Sequence, residues 1–119
     1  MYGLPEDFDG SFLIGRVLEV VSYSDNSLSL GFDNRVSITI ESSFEYRSRP
    51  GGGDVELQRV PVRSSSVMQL LGHSVESVDS DRDGTLGLQF SGGSVFRCFD
   101  DQSAYECYRI ANGDSETYV

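Results

Sequence analysis

His73 is the only histidine among the 119 residues, so any imidazole base, and any Ser-His or Cys-His nucleophile, would have to be built around it. It follows Gly72 at the head of a strand-like stretch, where a polar rim residue is the expected role. Sites needing several histidine ligands are excluded. Cys98 and Cys107 are the two cysteines, and Arg97 is the one basic side chain directly beside either of them that could favour a thiolate. Free thiols are expected, with a disulfide across a terminal hairpin as the alternative. The run Asp79-Ser80-Asp81-Arg82-Asp83-Gly84 has the Asp-x-Asp-x-Asp-Gly opening of a calcium loop. Phe90 stands where that loop needs its bidentate carboxylate, so turn chemistry is the expected reading. Gly51-Gly52-Gly53 lacks the following Lys and Ser or Thr of a phosphate loop, and Ser91-Gly92-Gly93-Ser94 falls in a hairpin. The paired carboxylates Asp100-Asp101 read as a solvated turn. No catalytic residue, metal site or cofactor is expected.

Charge narrows the function further. The chain has 19 acidic against 9 basic residues, a formal charge of −10, and every basic residue is arginine. Long-range repulsion disfavours nucleic acid and anionic membranes and favours a basic partner. The acids expected to lie in turns, Asp79, Asp81, Asp83, Asp100 and Asp101, are the candidate protein-binding residues. The basic residues instead gather centrally: Arg47, Arg49, Arg59 and Arg63 are the candidates for a second reading, an anion site for a phosphate- or carboxylate-bearing metabolite or nucleotide. Met1 to Gly10 lacks the basic flank and apolar run of a signal peptide, and no apolar stretch has the length to cross a bilayer, so a cytoplasmic location is expected.

The elements that must position these residues come from an internal repeat. Gly15, Glu19, Leu28, Leu30 and Phe32 recur as Gly72, Glu76, Leu86, Leu88 and Phe90. In each copy, about 12–42 and 70–100, apolar residues alternate with polar ones in short runs separated by Asp, Asn and Gly turns, the pattern of half-buried strands in a meander. The expected fold is mainly β: one domain of two three-stranded antiparallel meanders related by a pseudo-twofold, forming a sheet, a sandwich or a partly open barrel. Between them a linker is expected, with a mobile loop at 48–54 after Phe44 to Arg49 has continued the first sheet, a short strand around Val55 and Leu57, and one short helix over 64–71. That helix would bury Val67, Met68, Leu70 and Leu71 and end at Gly72. Tyr105 to Ile110 reads as a final strand, and the polar tail from Asn112 to Val119 is expected either to fray or to dock through Tyr118 and Val119.

Five motifs, Phe12-Leu13-x-Gly15, Ile38-Thr39-Ile40-Glu41, Leu70-Leu71-Gly72-x-x-Val75, Asp83-Gly84-Thr85-Leu86-x-Leu88-x-Phe90 and Tyr105-Glu106-Cys107-Tyr108, carry a resemblance. From about residue 11 to 110 the chain resembles an uncharacterised family of small bacterial domains, common in actinomycetes, which favours Tyr-Glu-x-Trp at the last motif. The resemblance implies a fold and no catalytic residues. By analogy of size and charge it suggests a non-enzymatic binding protein, of the immunity or inhibitory type, that holds another protein. A small-ligand sequestering domain and a structural or homo-oligomerising module are the alternatives.

Overall fold

The computed structural model describes residues 3–49, 52–62, 64–102 and 106–119, with the side chains of residues 49 and 52–54 outside the description. Ten strands are found among them: β1 (Leu18–Tyr23), β2 (Leu28–Phe32), β3 (Val36–Ile40), β4 (Ser43–Arg49), β5 (Gly52–Arg59), β6 (Val75–Ser80), β7 (Leu86–Phe90), β8 (Val95–Cys98), β9 (Tyr108–Asn112) and β10 (Ser115–Tyr118). They form two five-stranded antiparallel sheets, ordered β1-β2-β3-β9-β10 and β5-β4-β8-β7-β6, in a sandwich-like arrangement. The alternation read from sequence sets the inner faces. Leu28, Leu30, Phe32, Val36, Ile38 and Ile40 of the first sheet and Leu86, Leu88, Phe90, Phe96 and Cys98 of the second all enter one buried cluster.

Each meander is completed by a hairpin from the other half. The β4–β5 hairpin, which follows the first meander, pairs β4 with β8 of the second. The β9–β10 hairpin, which follows the second, pairs β9 with β3 of the first. The expected continuation of the first sheet by Phe44 to Arg49 is therefore corrected. Only Glu41 and Ser42 separate β3 from β4, and the chain uses them to step across to the opposite sheet. Ser42, fully buried, donates to the carbonyls of Phe99 (2.9 Å) and Cys107 (3.2 Å) at that crossing.

Hydrogen bonds repeat across a pseudo-twofold axis. Gly15 N–H bonds Val75 O (2.7 Å) and Gly72 N–H bonds Leu18 O (2.8 Å); Leu18 N–H bonds His73 O and Val75 N–H bonds Arg16 O. The Val17–Ser74 bridge joins two equivalent residues, and the equivalent rings of Phe32 and Phe90 stack with centroids 6.3 Å apart. Even the bulges match, between Leu18 and Val20 in β1 and between Val75 and Ser77 in β6.

Among its described residues the linker is mostly strand. The segment expected as a loop at 48–54 is largely the end of a hairpin in which Arg49 faces Gly52, with residues 50 and 51 outside the described residues. The expected helix over 64–71 is a single 3-10 turn, Val67–Leu70. Its period of three buries Val67 and Leu70 but leaves Met68 (55%) and Leu71 (44%) exposed. A segment this short gains little from helix propagation; it is held by Glu56 of β5, whose Oε1 accepts from Ser66 N–H (3.0 Å). The other 3-10 turn, Gly10–Leu13, is too short to leave a periodic signature in the sequence and is capped by the Asp9 side chain on Ser11 N–H. Of the two readings of the tail, docking holds: it forms β10, with Val119 fully buried and Tyr118 41% exposed.

Glu56 yields a pH prediction. Burial works against its charge, but hydrogen bonds from Ser66, Ser65 and Gln58 outweigh burial and hold its carboxyl below the ordinary 4.5. A depressed folded-state value means stability that is present above the unfolded-state value and lost as pH falls through the folded one. The melting-temperature gap between wild type and Glu56→Gln should therefore be widest near neutral pH and narrow below pH 4.5.

Candidate functional site

The acidic candidates are held mainly by one turn and one connection. In the turn after β6, Asp81 N–H bonds Thr85 O and Gly84 N–H bonds Asp81 O, both near 3 Å. The Asp83 carboxylate accepts from Thr85 N–H at 3.0 Å, a bond that holds its carboxyl below the usual aspartate value. Gly84 has φ +89, and its Cα faces Asp100 so closely that an added Cβ would lie 2.6 Å from the Asp100 Cβ. Asp100 in turn accepts from Gly3 N–H (2.9 Å) and from the Cys107 thiol (3.3 Å). Tyr108, deep in the core, donates its hydroxyl to Gly84 O at 2.5 Å. The turn bearing Asp81 and Asp83 is thus locked to Asp100, with exposed Asp101 next in the chain. Asp79, expected in a turn, lies instead within β6, on its outer face over Gly87. Tyr108→Phe leaves the Gly84 carbonyl without that donor. It should cost about 1–3 kcal/mol, read as a lower denaturation midpoint at unchanged slope.

Sequence reasoning missed the neighbour of this acidic group. Residues 3–9 run as a strap along the side of the sandwich where β6 and β10 are the edge strands, with Leu4, Phe8 and Phe12 packed against the core. Phe8 and Phe12 meet edge to face at 6.4 Å. The signal was the four-residue spacing of Leu4, Phe8 and Phe12, obscured by the intervening acids. A cleft of about 670 Å³ lies between the strap (Leu4, Pro5, Glu6, Phe8) and Ser80, Asp81 and Arg82. A second, of about 330 Å³, lies between Pro5, Asp7, Asp9 and Phe12 on one wall and Ile110, Asn112 and Thr117 on the other. This side therefore combines partly buried Leu4, Phe8 and Phe12 with exposed carboxylates of Glu6, Asp7, Asp81, Asp83 and Asp101, with Arg82 the one exposed cation lining the clefts among the described residues. Among the described residues, no three His, Cys, Asp or Glu side chains are grouped to hold a metal ion.

The arginines are spread over the outer face of the second sheet. Arg47 Nη2 pairs with Glu45 Oε1 (3.0 Å), and Arg97 Nη1 lies 3.9 Å from Glu45 Oε2. Arg47 is opposite Val55 and Arg59 is opposite Ser43, so roughly 13 Å of strand separates them. The structure does not bring those two together. The Arg49 side chain and Arg63 lie outside the described residues.

The profile of a family of unknown function, DUF6188, matches residues 11–119. The chain belongs to this family. No curated protein and no solved structure matches it. The DUF6188 match includes the tail, in keeping with the burial of Val119. No helix among the described residues is long and apolar enough to cross a membrane.

The motifs of this DUF6188 chain serve architecture. Leu70 and Gly72 place the 3-10 turn and its exit at the pseudo-twofold, while Asp83-Gly84 and Tyr108 build the lock on Asp100; Tyr105 lies outside the described residues. His73 Nδ1 is 3.0 Å from Ser91 Oγ, which looks like part of a nucleophile. That oxygen already accepts from Ser74 N–H at 3.2 Å. In the other half Asp33 does the same work, accepting from Val17 N–H (2.9 Å) beside Arg16. A pair whose symmetry mate lacks any nucleophile is a turn brace. Cys98 and Cys107 are both buried, and burial pushes both pKa values up, away from the thiolate.

Proposed function

We propose that this chain is a non-enzymatic binding protein, of the inhibitory or immunity type, that holds a basic protein through the strap side of the sandwich. The observation that carries the reading is the combination there of two open clefts, lined by polar side chains together with Leu4, Phe8 and Phe12, and a rim of exposed carboxylates. Protein interfaces draw their energy from an apolar centre and their on-rate and selectivity from the charged rim. The acids of the turn are fixed by backbone hydrogen bonds, so less ordering is required on association. The brace role of His73 and Ser91 and the raised thiol pKa values leave no activated His-Ser or thiolate nucleophile among the described residues, which favours binding over catalysis. The pairing of Arg47 with Glu45 weighs against a small-anion site there.

The test is ionic strength. Against its partner, the association rate constant should fall at least about tenfold between low and physiological salt while the dissociation rate changes little. Neutralising Glu6, Asp7, Asp81 and Asp101 together should reproduce that loss at low salt without lowering the melting temperature. An association rate indifferent to salt would reject steering by this side.

A further inference from the structure

Edge strands are templates for pairing with another chain, and folded proteins usually blunt them. Three of the four edges here are blunted. β1 and β6 each carry a bulge, and β6 also carries the acids Glu76 and Asp79 beside the Gly10–Leu13 turn. β10 has four residues, and Pro5 of the strap shares the clefts beside it. β5, the symmetry mate of β10, has its bulge only at its Gly52 end, between the Arg49–Gly52 and Arg47–Val55 pairs, and the carboxylate of its Glu56 is engaged by Ser66 N–H. It has eight residues, runs in unbroken register with β4 from Val55 to Arg59, and contains no proline. It also exposes Leu57 (72%) and Val55 (48%), Leu57 being the most exposed of the large hydrophobic residues described.

Backbone alternation fixes which groups face out. Val60 N–H bonds Ser42 O across the β4–β5 pair, so Gln58 and Glu56 also point their peptide groups at β4. Those of Val55, Leu57 and Arg59 point to the open edge, where no backbone partner for Val55 or Leu57 is found among the described residues.

We infer that β5 is a self-association edge, at which a second copy of this chain pairs its own β5 antiparallel and in register about Leu57. The charge distribution selects both occupant and register. Each copy carries −10, so two copies can approach only where acid is sparse. The β5 edge is on the opposite side of its sheet from β6 and the strap, and the outer face beside it carries Arg47, Arg59 and Arg97 against Glu45. Centring on Leu57 sets Leu57 against Leu57 of the second copy and Val55 against the aliphatic stem of Arg59. It also sets Glu56 opposite the Gln58 amide, whereas a register shifted to centre on Glu56 would oppose two carboxylates. The paired sheets become one continuous ten-stranded sheet, and both strap sides stay open.

Sedimentation equilibrium on the full chain tests this. Wild type at about 100 µM should have twice the monomer mass. Leu57→Arg places two guanidinium groups at the twofold and should weaken dimerisation at least about tenfold, with an unchanged far-UV spectrum because the residue is exposed. Tyr118→Arg on the equivalent edge β10 should leave the mass at the dimer value. Leu57→Pro removes an outward N–H, not one bonded to β4, together with the leucine side chain, and should also dissociate the pair. Wild type sedimenting as a single chain at this concentration, or a dimer that survives both Leu57 substitutions, overturns the assignment.

Discussion

A chain ending at Gln102, without the β9–β10 hairpin, is expected to show no cooperative thermal transition. The hairpin belongs in sequence to the second half but completes the sheet of the first, pairing Val36 to Ile40 with Asn112 to Tyr108. Its loss removes Cys107, Tyr108, Ile110 and Val119 from the core, all buried to within 1%. Each such side chain contributes about 1.5–3 kcal/mol, and four together rival the total stability of about 5–15 kcal/mol typical of a small domain. The cut also leaves Ser42 Oγ without the Cys107 carbonyl at the crossing. A melt of the shortened chain by far-UV circular dichroism decides it. A sharp transition near the full-length temperature would mean that the two halves do not depend on each other as the exchanged hairpins require.

The second large effect is expected at Gly84. Its φ of +89 costs a side-chain-bearing residue about 1–2 kcal/mol. The Asp100 Cβ at 2.6 Å from the added carbon adds an overpacking cost of about 1–3 kcal/mol. Gly84→Ala should therefore lose about 2–5 kcal/mol. Gly72 is the control: its φ is +85, but nothing lies within 4 Å of the added Cβ. Gly72→Ala should lose only the backbone part, about 1–2 kcal/mol. Equal losses at the two glycines in urea denaturation would show that the turn is not packed on Asp100.

These two predictions rest on features of unequal legibility. The strands were readable because Leu28, Leu30 and Phe32, and their repeats Leu86, Leu88 and Phe90, alternate with period two and so declare one buried face. The pseudo-twofold was readable from the same residues. The exchange of hairpins was not, because pairing partners are set by the crossing at Ser42, and a two-residue step between strands gives no indication of which sheet receives the next one. The helix expected over 64–71 failed for a local reason: Val67 and Leu70 fit a period of three as well as one of 3.6, and four residues make one 3-10 turn. Of the acidic candidates, Asp81 and Asp83 do lie in the turn that the Asp-Gly chemistry indicated, whereas Asp100 lies in a connection without a turn. Their proximity depends on Gly84 meeting Asp100, sixteen residues along, which no periodicity records. The strap was missed because its three apolar anchors, Leu4, Phe8 and Phe12, are too sparse to stand out among Glu6, Asp7 and Asp9.

The central claim is that the strap side holds a basic protein. The most direct measurement is affinity capture of the tagged chain from its native host, in parallel with the variant neutralised at Glu6, Asp7, Asp81 and Asp101, followed by native mass spectrometry of both eluates. The account predicts one basic protein at fixed stoichiometry with wild type, and its absence with the variant. A wild-type chain that elutes bare or carrying only a small-molecule mass, or a partner retained equally by the variant, would contradict it.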